Sequence, residues 1–137
     1  MYTPPSDAQL RTLLQTTRRI AVVGLSPNIS RPSYRVSLQM QRWGFDIVPV
    51  RPAITEVLGQ PAYANLLAVP GKVDLVNVFR RAEEVDAIVT DAIAIGAPAI
   101  WLQQGIIHEA AAERAAAAGM LVVMDRCIMV EYARLFV

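Results

Sequence analysis

With one cysteine, Cys127, the chain cannot form an intrachain disulfide, which suits a protein of the reducing cytoplasm. One histidine, His108, together with that thiol falls short of the ligand set that a metal ion needs. Net charge is scarce too. The 13 Lys and Arg against 12 Asp and Glu leave a formal +1, far from the basic excess of a broad nucleic-acid surface. No apolar stretch approaches the ~20 residues of a membrane span. The opening Met1-Tyr2-Thr3-Pro4-Pro5 lacks the basic and apolar segments of a secretory signal, so none is expected. Hydrophobic residues at 54% and charged residues at 18% exclude a disordered chain. The 137 residues fit one domain, large enough to bury a core without staples.

What is present is a set of short apolar, β-branched runs. They are Ile20–Val23, Asp46–Val50, Val73–Val78, Ala97–Leu102 and Met120–Met124. Continuous apolar runs, rather than alternating ones, suit strands covered on both faces. Between them the spacing turns helical. Ser33–Trp43 carries Val36, Met40 and Trp43 on one side, and Glu83–Ile95 places Val85, Ile88, Val89, Ala92 and Ile95 on a stripe. Ile107–Ala118 is alanine-rich and stops at Gly119, while Ser6–Arg18 opens on a Ser/Asp cap signal. The stretch from Ala53 to Lys72 reads as a long connection with one helical turn near Asn65–Ala68. Strands alternating with helices predict an α/β, Rossmann-like, doubly wound parallel sheet of about five strands with helices on both faces.

Ligands of such sheets bind beyond the carboxyl ends of the strands, at the switch in strand order. The loop after the first strand is therefore the most informative. Gly24 closes the strand, Leu25-Ser26-Pro27-Asn28-Ile29-Ser30-Arg31 follow, and Pro32 suits the first turn of the next helix. Free amides and the positive end of a helix dipole would receive phosphate there. Ser26, Ser30 and Ser33 could add hydroxyls, and Arg31 and Arg35 charge. The loop is neither G-x-G-x-x-G nor a P-loop, and Gly24 and Pro32 could equally just shape a turn. Arg51 follows the strand that lies beside the ribose in related folds. A cation there suggests a phosphorylated ribose, though a plain surface arginine is common.

Several segments together resemble one family. Gly24-Leu25-Ser26-Pro27-Asn28, Arg31-Pro32-Ser33-Tyr34, Val48-Pro49-Val50 and Val57-Leu58-Gly59 look like the small stand-alone CoA-binding proteins. So do Val73 to Arg80, Trp101-Leu102-Gln103-Gln104-Gly105 and Val123 to Cys127. That family is similar to the CoA-binding domain of the succinyl-CoA synthetase alpha subunit. The likeness runs from Arg19 to Leu135. It implies coenzyme A, or acyl-CoA, lying across the strand ends. The phosphates would meet the loop at Gly24, Leu25, Ser26, Pro27, Asn28, Arg31, Ser33 and Tyr34. Val50 and Arg51 would lie on the adenosine side, Phe79 and Arg80 would flank the ligand, and Gln103, Gly105 and Cys127 would complete the site. Members usually carry Asn-Pro-Lys or Asn-Pro-Arg after the second strand, whereas this chain reads Arg51-Pro52-Ala53. Whether Arg51 replaces that cation is open. The synthetase also needs a phosphorylated histidine from another domain, which is missing from this sequence.

No catalytic set stands out. His108 and Cys127 lie in different segments, and a surface or helix-cap role suits the histidine. Cys127, next to Arg126, is either a reactive thiol poised toward the ligand or a small buried side chain. The reading is a non-catalytic CoA-binding module, acting as carrier or sensor, with a homodimer as the expected state and neither nucleic acid nor membrane as partner. An NAD(P)-dependent enzyme and a ligand-free interaction domain are the alternatives.

Overall fold

In the computed structural model, which describes residues Met1–Val137, each strand sends alternate side chains to opposite faces, and that alternation divides the core in two. From β1 (Arg19–Val23), Ala21 joins one cluster while Ile20 and Val22 join the other. The first cluster packs the sheet against α3 (Ala82–Ala94) and α4 (Glu109–Ala117). The second packs it against α1 (Asp7–Thr16), α2 (Pro32–Arg42) and α5 (Ile128–Phe136). Helices thus cover both faces, which is why the strands read as continuous apolar runs.

The remaining strands of the main sheet are β2 (Asp46–Val50), β5 (Leu75–Val78), β6 (Ala99–Leu102) and β7 (Leu121–Val123). Their order is β2-β1-β5-β6-β7, with every pair parallel. Strand order reverses between β1 and β5, so the switch point lies at the ends of those two strands, at Gly24 and Phe79. This is a Rossmann-like α/β fold with a five-stranded parallel sheet.

Local chemistry explains the helix starts. Ser6 accepts from the Gln9 amide and Gln9 returns a bond to the Ser6 amide, a capping box. Pro32 fills the first position of α2. Small side chains at Ala111, Ala112 and Ala115 are fully buried and let α4 lie close to the sheet. At the sheet centre Trp101 is fully buried, and its indole N–H donates to the Arg126 carbonyl at 2.8 Å. A buried indole left without an acceptor would cost about 1–3 kcal/mol.

Two elements differ from expectation. The connection after β2 contains a small hairpin, β3 (Glu56–Val57) and β4 (Gln60–Pro61), before the single helical turn at Leu66–Ala68. And the chain ends in a further helix, α5, beyond the last element expected from the sequence. Tyr132 of α5 stacks on Trp43 at 4.6 Å and meets Phe45 edge-on at 5.5 Å.

Candidate functional site

Gly24 sits where the loops after β1 and β5 come together. Its φ is +90°, and a Cβ would lie 2.5 Å from the Phe79 carbonyl oxygen and 2.8 Å from Arg80 Cδ. Only glycine tolerates both the backbone shape and the closeness. From there the loop braces itself. The Ser26 amide donates to Ser33 Oγ at 3.0 Å, and the Asn28 amide to Ser26 Oγ at 3.1 Å. The Ser30 amide and hydroxyl both donate to Asn28 Oδ1, at 3.0 and 2.8 Å. These are local side-chain turns that fix a loop without help from a ligand.

The bracing changes which groups are free. The amides of Ser26, Asn28 and Ser30 are committed to side chains, and that of Arg31 to the Asn28 carbonyl. Leu25, Ile29 and Ser33 keep amides with no acceptor in the protein. Ser33 lies in the first turn of α2, where helix geometry leaves amides unpaired and the dipole is positive.

The loop forms one wall of a cleft of about 860 Å³ along the carboxyl rim of the sheet. Of the expected residues, Gly24, Ser26, Asn28, Arg31, Ser33, Arg51, Phe79, Arg80, Gln103 and Cys127 line it. Pro32, Val36, Arg81, Glu84, Gln104 and Ile106 line it as well. Arg51 reaches over to the end of β1, its Nη1 donating to the Gly24 carbonyl at 3.4 Å. Four arginines therefore surround the cleft, at 31, 51, 80 and 81, against one carboxylate, Glu84. Arg80 is ion-paired with Glu84, and the hydrogen bond from that guanidinium holds the Glu84 carboxyl below the usual range.

Five expected residues lie elsewhere. The Leu25 side chain is fully buried in the core cluster under α1, α2 and α5, so only its backbone faces the loop. Tyr34 packs partly buried against the same cluster. Pro27 is exposed on the loop. Val50 lines a smaller cavity of about 110 Å³, which shares Gly24 and Arg80 with the cleft. Gly105 stands on the rim, where its amide donates to Asp125 Oδ1 at 2.7 Å.

The two groups weighed for catalysis are placed apart. His108 caps α4, its Nδ1 accepting from the Ala111 amide at 3.0 Å. Cys127 lines the cleft at the start of α5 with no side-chain hydrogen bond. Arg126, next to it in sequence, directs its guanidinium to Glu131 at 3.2 Å. A second groove of about 540 Å³ lies at the opposite edge of the sheet, between α1 and Lys72, Asp74 and Leu121. It holds one cation, and the helix start beside it is closed by the Ser6 capping box. The carboxyl-edge cleft has the better chemistry for an anion.

The fold and the position of this cleft make the chain a Rossmann-like α/β protein with a loop-walled cleft at the switch point. The sequence pattern of the CoA binding domain matches residues 18–133, and the chain belongs to that family. The Bacillus subtilis (strain 168) protein YneT is 43% identical over 129 residues, covering 94% of this chain and 96% of its own. The structure of a hypothetical protein from Pyrococcus horikoshii OT3 matches with a TM-score of 0.94 and 32% identity, covering 100% of this chain and 99% of that one. The apo dinucleotide-forming acetyl-coenzyme A synthetase 1 of Ca. Korarchaeum cryptofilum matches with a TM-score of 0.68 over 76% of this chain and 25% of its own. At 24% identity that likeness is one of fold.

Proposed function

We propose that this protein binds coenzyme A, free or acylated, in the carboxyl-edge cleft, and that it does so as a carrier or sensor without chemistry of its own. The observation that carries the reading is the convergence on one cleft of the Ser33 amide at a helix start and four arginines, beside the loop amides of Leu25 and Ile29, which have no acceptor in the protein. Coenzyme A presents a pyrophosphate and a ribose 3′-phosphate, and such a polyanion suits that excess of positive charge. Membership of the CoA binding domain family supports the same ligand. The pyrophosphate would lie against the amides of Leu25, Ile29 and Ser33, with Arg31 nearby. Arg51 would face the 3′-phosphate. His108 lies outside the cleft lining with its Nδ1 engaged in a helix cap, which fits a site without a histidine base.

Calorimetry tests this. The protein should bind CoA more tightly than dephospho-CoA, and Arg51→Ala should remove most of that difference while sparing dephospho-CoA binding. NADP should bind more weakly than CoA. Equal affinities of the wild type for CoA and dephospho-CoA would refute the role of Arg51. Failure to bind CoA at all would refute the assignment.

A further inference from the structure

Two carboxamides interrupt the apolar interior at the carboxyl ends of the central strands. Asn77 on β5 and Gln103, directly after β6, are 1% and 4% exposed. Strand alternation sets Asn77 on the same face as Leu75, and Gln103 on the same face as Trp101, toward α2 and α5. Gln103 Nε2 donates to Asn77 Oδ1 at 2.6 Å, and this is the one hydrogen bond that either side chain makes in the protein. Asn77 Nδ2 thus keeps both of its N–H groups, and Gln103 keeps an acceptor in Oε1 and its second Nε2 N–H. Neither Asn77 Nδ2 nor Gln103 Oε1 is sealed from solvent, since the one fully enclosed, unpartnered side-chain polar atom is Ser37 Oγ. Turning both carboxamides over makes Gln103 the acceptor but again leaves it both donor and acceptor capacity to spare. Gln103 lines the cleft between the phosphate-loop wall and Cys127.

Buried carboxamides cost desolvation unless their hydrogen-bonding capacity is met. Gln103, the member of the pair that lines the cleft, has a donor and an acceptor left over, which complement the carbonyl and N–H of a secondary amide. Resting on the CoA reading, we infer that Asn77 and Gln103 read an amide of the pantetheine arm, with Gln103 in contact and Asn77 fixing its orientation. The pair then selects for the arm, whereas the arginines and loop amides select for the phosphates.

The test separates the two halves of the ligand. CoA and 3′-phospho-ADP share their adenosine and phosphates, but the latter lacks the arm. Calorimetry on the wild type and on Gln103→Met, which keeps the side chain's length, should show CoA binding weakened about tenfold. Binding of 3′-phospho-ADP should be unchanged, which also shows that the variant is folded. Loss of affinity for both ligands alike, or for neither, overturns the inference, while CoA binding by the wild type upholds the CoA reading. A wild type that binds neither ligand overturns the CoA reading and this inference with it.

Discussion

At the scale of single residues, Gly24 carries more of the site than any charged group. Its carbonyl meets Arg51, and its missing side chain lets the Phe79 carbonyl approach. Gly24→Ala should destabilise the fold by ~2 kcal/mol or more, from the positive φ and the clash together. Urea denaturation would measure it, and an unchanged midpoint would contradict the packing described. Much of this residue's role was legible, because a glycine ending a β-branched run before a polar loop has few other uses. Leu25 and Tyr34 were not legible in the same way. The family motif includes them, but a motif records residues that shape a loop from beneath as well as those that face outward. Val36, Glu84 and Ile106 carried no local signal, since only the fold brings them to the rim.

At the scale of elements, the sequence spoke through periodicity and fell silent where periodicity is short. The strands and the first four helices were found within a few residues of their ends. The β3–β4 hairpin was missed because each strand has two residues and its turn, Leu58-Gly59, has leucine at φ +55° where asparagine or aspartate is the usual signal. The start of α5 was hidden because Cys127 precedes it without a side-chain cap. That helix is instead held by tertiary contacts. Replacing Tyr132 with alanine removes the stack on Trp43 and the edge contact with Phe45, and should cost about 2 kcal/mol. Chemical denaturation followed by tryptophan fluorescence would show it, and a loss below a few tenths would mean that α5 packs by other means. Polar contacts also tie α5 to α1, where Arg134 donates to both oxygens of Asp7 at 2.8 and 2.9 Å. The hydrogen bond from Arg134 holds the Asp7 carboxyl below its ordinary value of 3.8. A depressed folded value contributes stability above the unfolded one, and that contribution fades as pH falls through the folded value. Thermal midpoints should therefore favour wild type over Asp7→Asn near neutral pH, with the gap closing below pH 3.8. A gap that stays constant with pH would contradict the pairing.

At the scale of the whole molecule, net charge conceals what matters. The formal +1 reads as neutral, yet the fold gathers four arginines around one cleft with a single carboxylate among them. Composition argued against a broad nucleic-acid surface but could not reveal this focus, because Arg51, Arg80 and Arg81 meet the loop only through the β2-β1-β5 order. Affinity for CoA should accordingly fall as salt rises, since the rim charges are open to screening. A salt-independent affinity would point to apolar contacts as the main source of binding.

An anionic ligand is expected to settle on the loop after β1 and the start of α2. Amide NMR during a CoA titration tests it at the atoms concerned. Signals of Leu25, Ile29 and Ser33 should shift, while those of Thr12 and Thr16 in the groove at the far edge stay in place. Shifts confined to the far groove, with the loop amides unmoved, would contradict the account.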